Sequence, residues 1–349
     1  MSKYLKSILQ FIIFTALGLG IFYWIYNSQN ASYQIYCSQN NIPSSDCSLI
    51  DKVAKDFGRV NWFYIALIFV SFVLSNVFRA FRWQMIFESM GNKIHFVNSL
   101  GSIFTAYFAN LGIPRSGELV RAGFISKYED IPVDKSFGTI VLDRIVDMSS
   151  MCALLVLTVF LQRNVFISFY NQYLSGTSLI QKFIPFIIIG VVGIILIATK
   201  KIWLQWNLVQ KIFSKLQGFW SGISSIRNMK KPWLFLFHTI MVWTFFYLML
   251  FFALKSFPPT ASIPPSAGLA IYVFGAMGMI IPTPGGVGSY HYLTMLGLSY
   301  YGINEIDAFS FSNIAFFSAQ FATNILLGII ALIVLPIFNA NYTKSELVK

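Results

Sequence analysis

The charged residues between Arg115 and Asp147 define the chemistry open to this chain. Arg115, Glu118, Arg121, Asp143, Arg144 and Asp147 lie inside or beside segments otherwise apolar enough to sit in lipid. A charge at mid-bilayer costs at least about 2.5–3.5 kcal/mol, so such residues pair, line a polar cavity or mark a pathway. A guanidinium donates two parallel hydrogen bonds in one plane, which suits a phosphate. Arg115, Arg121 and Arg144 are therefore candidate headgroup ligands, joined by Arg79 and Arg82, three apart on one helix face, and by Asn110. Glu118, Asp143 and Asp147 are candidate pairing or coupling groups, and His291 is added to them from the second half of the chain. A purely structural reading stands beside this one: Arg144 neutralises Asp143 and Asp147, and Arg121 neutralises Glu118, only to hold helices together.

Two breaks must position these groups. Gly112-Ile-Pro114-Arg-Ser-Gly117 ends one apolar run, and Pro282-Thr-Pro284-Gly285-Gly286-Val-Gly288-Ser ends another. Proline removes a backbone donor and glycine frees the dihedrals, so both are expected hinges. Each returning half-helix presents unpaired N–H groups and a partial positive charge, with Ser116 the expected cap of the first. The second break is glycine-rich but has no P-loop lysine, so a nucleotide site is rejected. HExxH, CxxC and GxSxG patterns are missing, and no metal or other cofactor is expected.

The elements around the breaks are membrane spans. The chain has 349 residues, 56% hydrophobic and 11% charged, with a mean hydropathy of +0.66; soluble domains carry about 25% charged residues. Its 36 Phe and 8 Trp suit lipid-facing surfaces and interfacial belts. The net charge of +12 sits mostly beside apolar runs, which is a topology signal, and nucleic acid is not expected as a partner.

The expected fold is an all-α polytopic membrane protein forming one domain over 1–349. Full spans are read at about Ile8–Tyr26, Val60–Val77, Phe137–Leu161, Phe183–Ile197, Trp233–Leu254 and Phe309–Phe338. Residues 27–59 form an exterior loop, 96–135 a first re-entrant hairpin and loop, 200–232 a basic amphipathic cytoplasmic segment, and 265–304 a second re-entrant hairpin. Arg79 and Arg82 are read as marking a cytoplasmic helix end. Most of the 25 basic residues then fall inside, both termini are cytoplasmic, and the hairpins enter from opposite sides. That layout is compatible with an inverted repeat around a mid-membrane site, although no internal sequence repeat is visible. Cys37 and Cys47 share one polar loop and either form a disulfide or remain two thiols; Cys152 is read as packing.

Phe78–Trp83 (FRAFRW), Asn110–Arg121 (NLGIPRSGELVR), Leu142–Asp147 (LDRIVD) and Pro282–Ser289 (PTPGGVGS), in this order, resemble the transmembrane region of lysylphosphatidylglycerol synthase. This is the flippase-like family that includes the membrane half of the multiple peptide resistance factor. The resemblance implies a bacterial inner-membrane domain that binds a lipid or moves it between leaflets. No soluble aminoacyltransferase domain like that of the full synthase is read in these 349 residues, so synthase activity is not expected. Asp143 stands where the family commonly has Glu, and His291 where it has an acidic residue.

The expected function is a flippase-like transporter of a phospholipid or polyprenyl-phosphate lipid and not an enzyme. Membrane lipids are the expected partners, with homo-oligomers or an envelope-synthesis enzyme as further ones. The alternatives are a membrane-embedded lipid-linked transferase and a scaffold for an envelope-lipid enzyme.

Overall fold

The computed structural model describes the chain outside residues 1–18, 21, 25, 32, 40–41, 44–46, 113–115, 174–228, 282, 284–285 and 342–349. The described residues between 19 and 39 are helical (α1), so this helix runs well past Tyr26 into the segment read as a loop. That loop also holds α2, Leu49–Gly58, where Ser48 accepts the N–H of Asp51 as N-cap. Helical periodicity survives there because the apolar residues of α2 are spaced to pack on one side. A Cys37–Cys47 disulfide joins α1 to the start of α2.

Next come α3 (Trp62–Ser89), α4 (Phe96–Gly112), α5 (Ser116–Glu129), α6 (Val133–Leu161) and α7 (Arg163–Tyr173). They are followed by α8 (Pro232–Ser256), α9 (Pro265–Ile280), α10 (Ser289–Ser299) and α11 (Glu305–Phe316). A π-helical turn, Phe317–Ala322, links α11 to α12, Thr323–Asn341. Proline opens α8 and α9, where its missing N–H costs nothing. Asn61 and Asn304 cap α3 and α11 by accepting backbone N–H groups.

The helix α3 does not end at Val77 but continues to Ser89, so Arg79 and Arg82 lie within the helix and are buried, not at its end. Four described helices are long and apolar enough to cross a membrane: α3, α6, α8 and the continuous α11–α12. The expected spans at Ile8–Tyr26 and Phe183–Ile197 fall largely or wholly outside the described residues, as does most of the amphipathic segment. Cys152 is exposed on the outward surface of α6 instead of packed.

The order long helix, broken pair, long helix occurs twice. Helices α3, α4, α5 and α6 start at 62, 96, 116 and 133, and α8, α9, α10 and α11 at 232, 265, 289 and 305, so each counterpart lies 169–173 residues later. The packing is reciprocal: α3 lies along α8, α4 packs on α12, and α9 packs on α6. Small residues permit the close approaches. A Cβ on Gly328 would strike Phe108, and one on Gly101 would strike Leu335, where α4 meets α12. Within the second pair, a Cβ on Gly278 would strike the Ser289–Tyr290 backbone. The repeat is one of structure, carried by element order and not by residue identity.

Candidate functional site

The site forms where α3, α5 and α6 meet. Arg79 and Arg82 project from α3 toward Asp143 and Asp147, which are four apart on α6 and share a face. Arg79 Nη2 lies 3.0 Å from Asp147 Oδ2, and its Nη1 lies 3.7 Å from Asp143 Oδ2. Arg82 Nη2 bridges both carboxylates, contacting Asp143 Oδ1 and lying 2.7 Å from Asp147 Oδ1. Arg121 reaches in from α5 and donates through Nη1 to Asp143 Oδ2 at 2.9 Å. All five side chains are buried.

Three buried guanidinium groups thus share two buried carboxylates. Donors remain unmatched: Nε of Arg79, Nε and Nη1 of Arg82, and Nε and Nη2 of Arg121 have no hydrogen-bond partner among the described residues. Buried polar groups are normally satisfied, so unmatched charged donors mark a place for an acceptor. Aromatic rings support the cations. The Arg121 guanidinium lies 3.6 Å over Trp83, and Arg79 faces Phe246 at 5.6 Å. Trp83 is itself fixed by donating its indole N–H to Thr139 Oγ1 at 2.9 Å.

The pairing differs from both expected pairs. Arg144 does not neutralise Asp143 and Asp147; its half-exposed side chain donates through Nε to Glu118 Oε1 at 3.0 Å. One residue along a helix turns the side chain by about 100°, which takes Arg144 off the Asp143 face. Arg121 pairs with Asp143 instead of Glu118 because its side chain is buried and reaches α6, while the partly exposed Glu118 meets Arg144.

Ser116 does not cap α5. It begins the helix and donates to the Ala109 carbonyl, while Asn110 Oδ1 accepts the Gly117 N–H at 2.8 Å. Asn110 therefore holds the α4–α5 turn closed. Arg115 and Pro114 lie outside the described residues, as do Pro282, Pro284 and Gly285. Gly112 is the last residue of α4. Gly286 and Gly288 have φ of +83° and +82°, a region that favours glycine, so the second break turns on them.

A narrow cleft runs beside the cluster, lined by Arg79, Tyr107, Asn110, Glu118, Arg121 and Arg144 among others. Its volume is about 20 Å³, room for about one water. Gly117 is part of its wall, and a Cβ there would strike the Ala106 carbonyl and approach Asn110 Nδ2. Gly117→Ala is expected to push α5 from α4 and destabilise the protein by about 1–3 kcal/mol, read as a lowered thermal midpoint in detergent. An unchanged midpoint would mean that the hairpin is not held this closely.

The second half does not repeat the charges. At the offsets of the matching helices, Arg79, Arg82, Glu118, Arg121, Asp143 and Asp147 correspond to Met249, Phe252, His291, Thr294, Ala315 and Ala319. His291 is buried among the rings of Phe22, Tyr290 and Phe316, and no ion pair to it occurs among the described residues. This arrangement does not support charge pairing by His291. Trp83, Thr139 and Tyr107 were not singled out in the sequence. The period joining Arg79 to Trp83, one turn apart, was the available signal.

Fold and site together define an all-helical polytopic membrane protein with a buried arginine–aspartate cluster at a broken helix. The chain belongs to the family described as the lysylphosphatidylglycerol synthase TM region, which matches residues 49–328. A UPF0104 membrane protein of Methanocaldococcus jannaschii is 25% identical over 273 residues, covering 73% of this chain and 80% of the relative. No solved structure matches the chain.

Proposed function

We propose that this protein moves a phosphate-bearing lipid between leaflets, with the headgroup phosphate held at the α3–α5–α6 cluster and the tails remaining in the bilayer. The observation that carries the reading is the set of unmatched donors on Arg79 and Arg121, both of which line the cleft. A phosphate supplies the acceptors these donors lack. The resemblance to a flippase-like family, carried by the four motifs, points the same way. The partners are membrane lipids, and no chemical step is assigned to the chain.

In this proposal the two broken pairs, α4–α5 and α9–α10, are re-entrant and enter from opposite sides of a plasma membrane, with both termini cytoplasmic. The reciprocal packing of the two halves supports that arrangement, which inverted-repeat transporters place around a mid-membrane site. The cleft is too small for a phosphate as it stands, so loading requires α5 to part from α6. Glu118 and Arg144 span that seam and are partly exposed. Exchanging Glu118 for a lipid phosphate lets Arg144 keep an anionic partner while the seam opens.

The test is leaflet exchange of labelled phospholipids and polyprenyl phosphates in vesicles containing the purified protein. Exchange above that of protein-free vesicles, without nucleotide, is the expected result. Lipid that binds or is chemically altered without changing leaflet would overturn the transport reading.

A further inference from the structure

A second concave feature lies away from the charged cluster. Between α1, α2 and α11 there is an open groove of about 490 Å³, lined by Leu19, Phe22, Tyr23, Tyr26, Leu49, Ile50, Val53, Phe309 and Asn313. Ligand sites commonly occupy about 300–1,000 Å³. No lining residue is charged. The amide of Asn313 donates to the Phe309 carbonyl and so already has an acceptor.

The groove has fixed walls. The disulfide joins α1 to α2, and Gln34 Nε2 donates to the Cys47 carbonyl at 2.8 Å. On the other side, Lys52 Nζ bridges Asp56 of α2 and Asp307 of α11, at 2.6 and 3.0 Å. Burial works against the charge of Lys52, but the two carboxylates outweigh it and hold its pKa above the ordinary lysine value. These ties keep α2 standing off α1 and leave an apolar slot between them.

We infer that this groove between α1, α2 and α11 binds one acyl chain of a membrane lipid. Three observations carry this. The α1 wall is the end of the apolar run Ile8–Tyr26, and its Tyr23 and Tyr26, with Trp24 beside them, are the residue types of a membrane–water interface, where acyl chains begin. Water gains little there because almost every lining group is apolar. Tyr23, at 65% exposed, and Ile50, at 63%, leave large apolar surfaces that a chain would cover.

The groove is also continuous with the second broken pair. Phe22 lines it and packs edge-on against His291 in the first turn of α10, with ring centroids 5.2 Å apart. Phe309, another lining residue, lies against Phe22 at 6.3 Å. A bound chain would therefore abut the uncharged counterpart of the arginine cluster. The inference does not require leaflet exchange, because a lipid that is only held would fill the groove equally well.

The experiment is photolabelling in nanodiscs with a phospholipid carrying a diazirine in its acyl tail, followed by peptide mapping. Label is expected on the segments Leu19–Tyr26 and Leu49–Val53, reduced at least fivefold by Val53→Trp, which fills the slot. Ile50→Phe is a second filling variant at an exposed position, and retention of the Cys37–Cys47 disulfide reports that α2 is still in place. Arg121→Ala is expected to leave this labelling unchanged, which separates failure of the headgroup site from failure of the groove. Label spread evenly over the lipid-facing surfaces, or undiminished in both filling variants, would overturn the assignment. So would cross-links from residues 1–18 into an unlabelled groove, which would make the occupant the chain's own amino-terminal segment.

Discussion

Asp143→Asn is expected to destabilise the protein by about 3–5 kcal/mol, the cost of removing one partner from a buried ionic group. Asp143 contacts Arg82 and Arg121 and lies near Arg79, so the substitution leaves three buried guanidinium groups with only one carboxylate, Asp147. Thermal unfolding in detergent should show a strongly lowered midpoint. Adding Arg82→Met should recover part of the loss, because Arg82 is fully buried, is absent from the cleft lining, and is the cation most dependent on both aspartates. A single variant as stable as the wild type, or a double variant worse than the single, would mean that the cluster is not coupled in this way.

Arg121→Gln is expected to weaken binding of anionic phospholipid by about 10- to 100-fold. Hydrogen bonds to charged groups contribute about 1.5–3 kcal/mol, and each 1.4 kcal/mol is about tenfold in affinity. Arg121 combines cleft exposure, two unmatched donor atoms and an aromatic support in Trp83. Lipid titration followed by native mass spectrometry reads the change, with Arg82→Gln as comparison. Arg82 lies behind the cleft, so its loss should act on stability more than on lipid affinity. Equal loss of lipid from both variants would indicate general unfolding and not a lost ligand.

Much of this architecture is legible in the chain, for identifiable reasons. Apolar runs and the proline–glycine breaks mark the helices of both broken pairs, because a lipid phase admits few other backbone solutions. The spacing of Asp143 and Asp147 places both carboxylates on one face, and Arg79 with Arg82 shows the same for the cations. Which cation meets which anion is not legible, because it depends on how α3 and α5 rotate against α6. Polar composition concealed helix α2 and the end of α1, since an amphipathic helix in a polar segment needs only one apolar side. Arg79 and Arg82 read as a topology mark because a helix end and a buried ion cluster look alike until the partner carboxylates are placed. The likeness of the two halves escapes sequence comparison for a related reason: element order and packing recur while the charged residues of the cluster have uncharged counterparts.

The most direct test of the central claim is a cryo-electron microscopy structure of the protein in nanodiscs rich in an anionic phospholipid. The account predicts that α5 parts from α6 and that a headgroup occupies the cleft. A phosphate oxygen should then lie about 2.7–2.9 Å from Nη2 of Arg121, with Arg144 released from Glu118. Lipid headgroups confined to the protein's rim, with the cleft still closed around Arg121 and the Glu118–Arg144 pair intact, would contradict it.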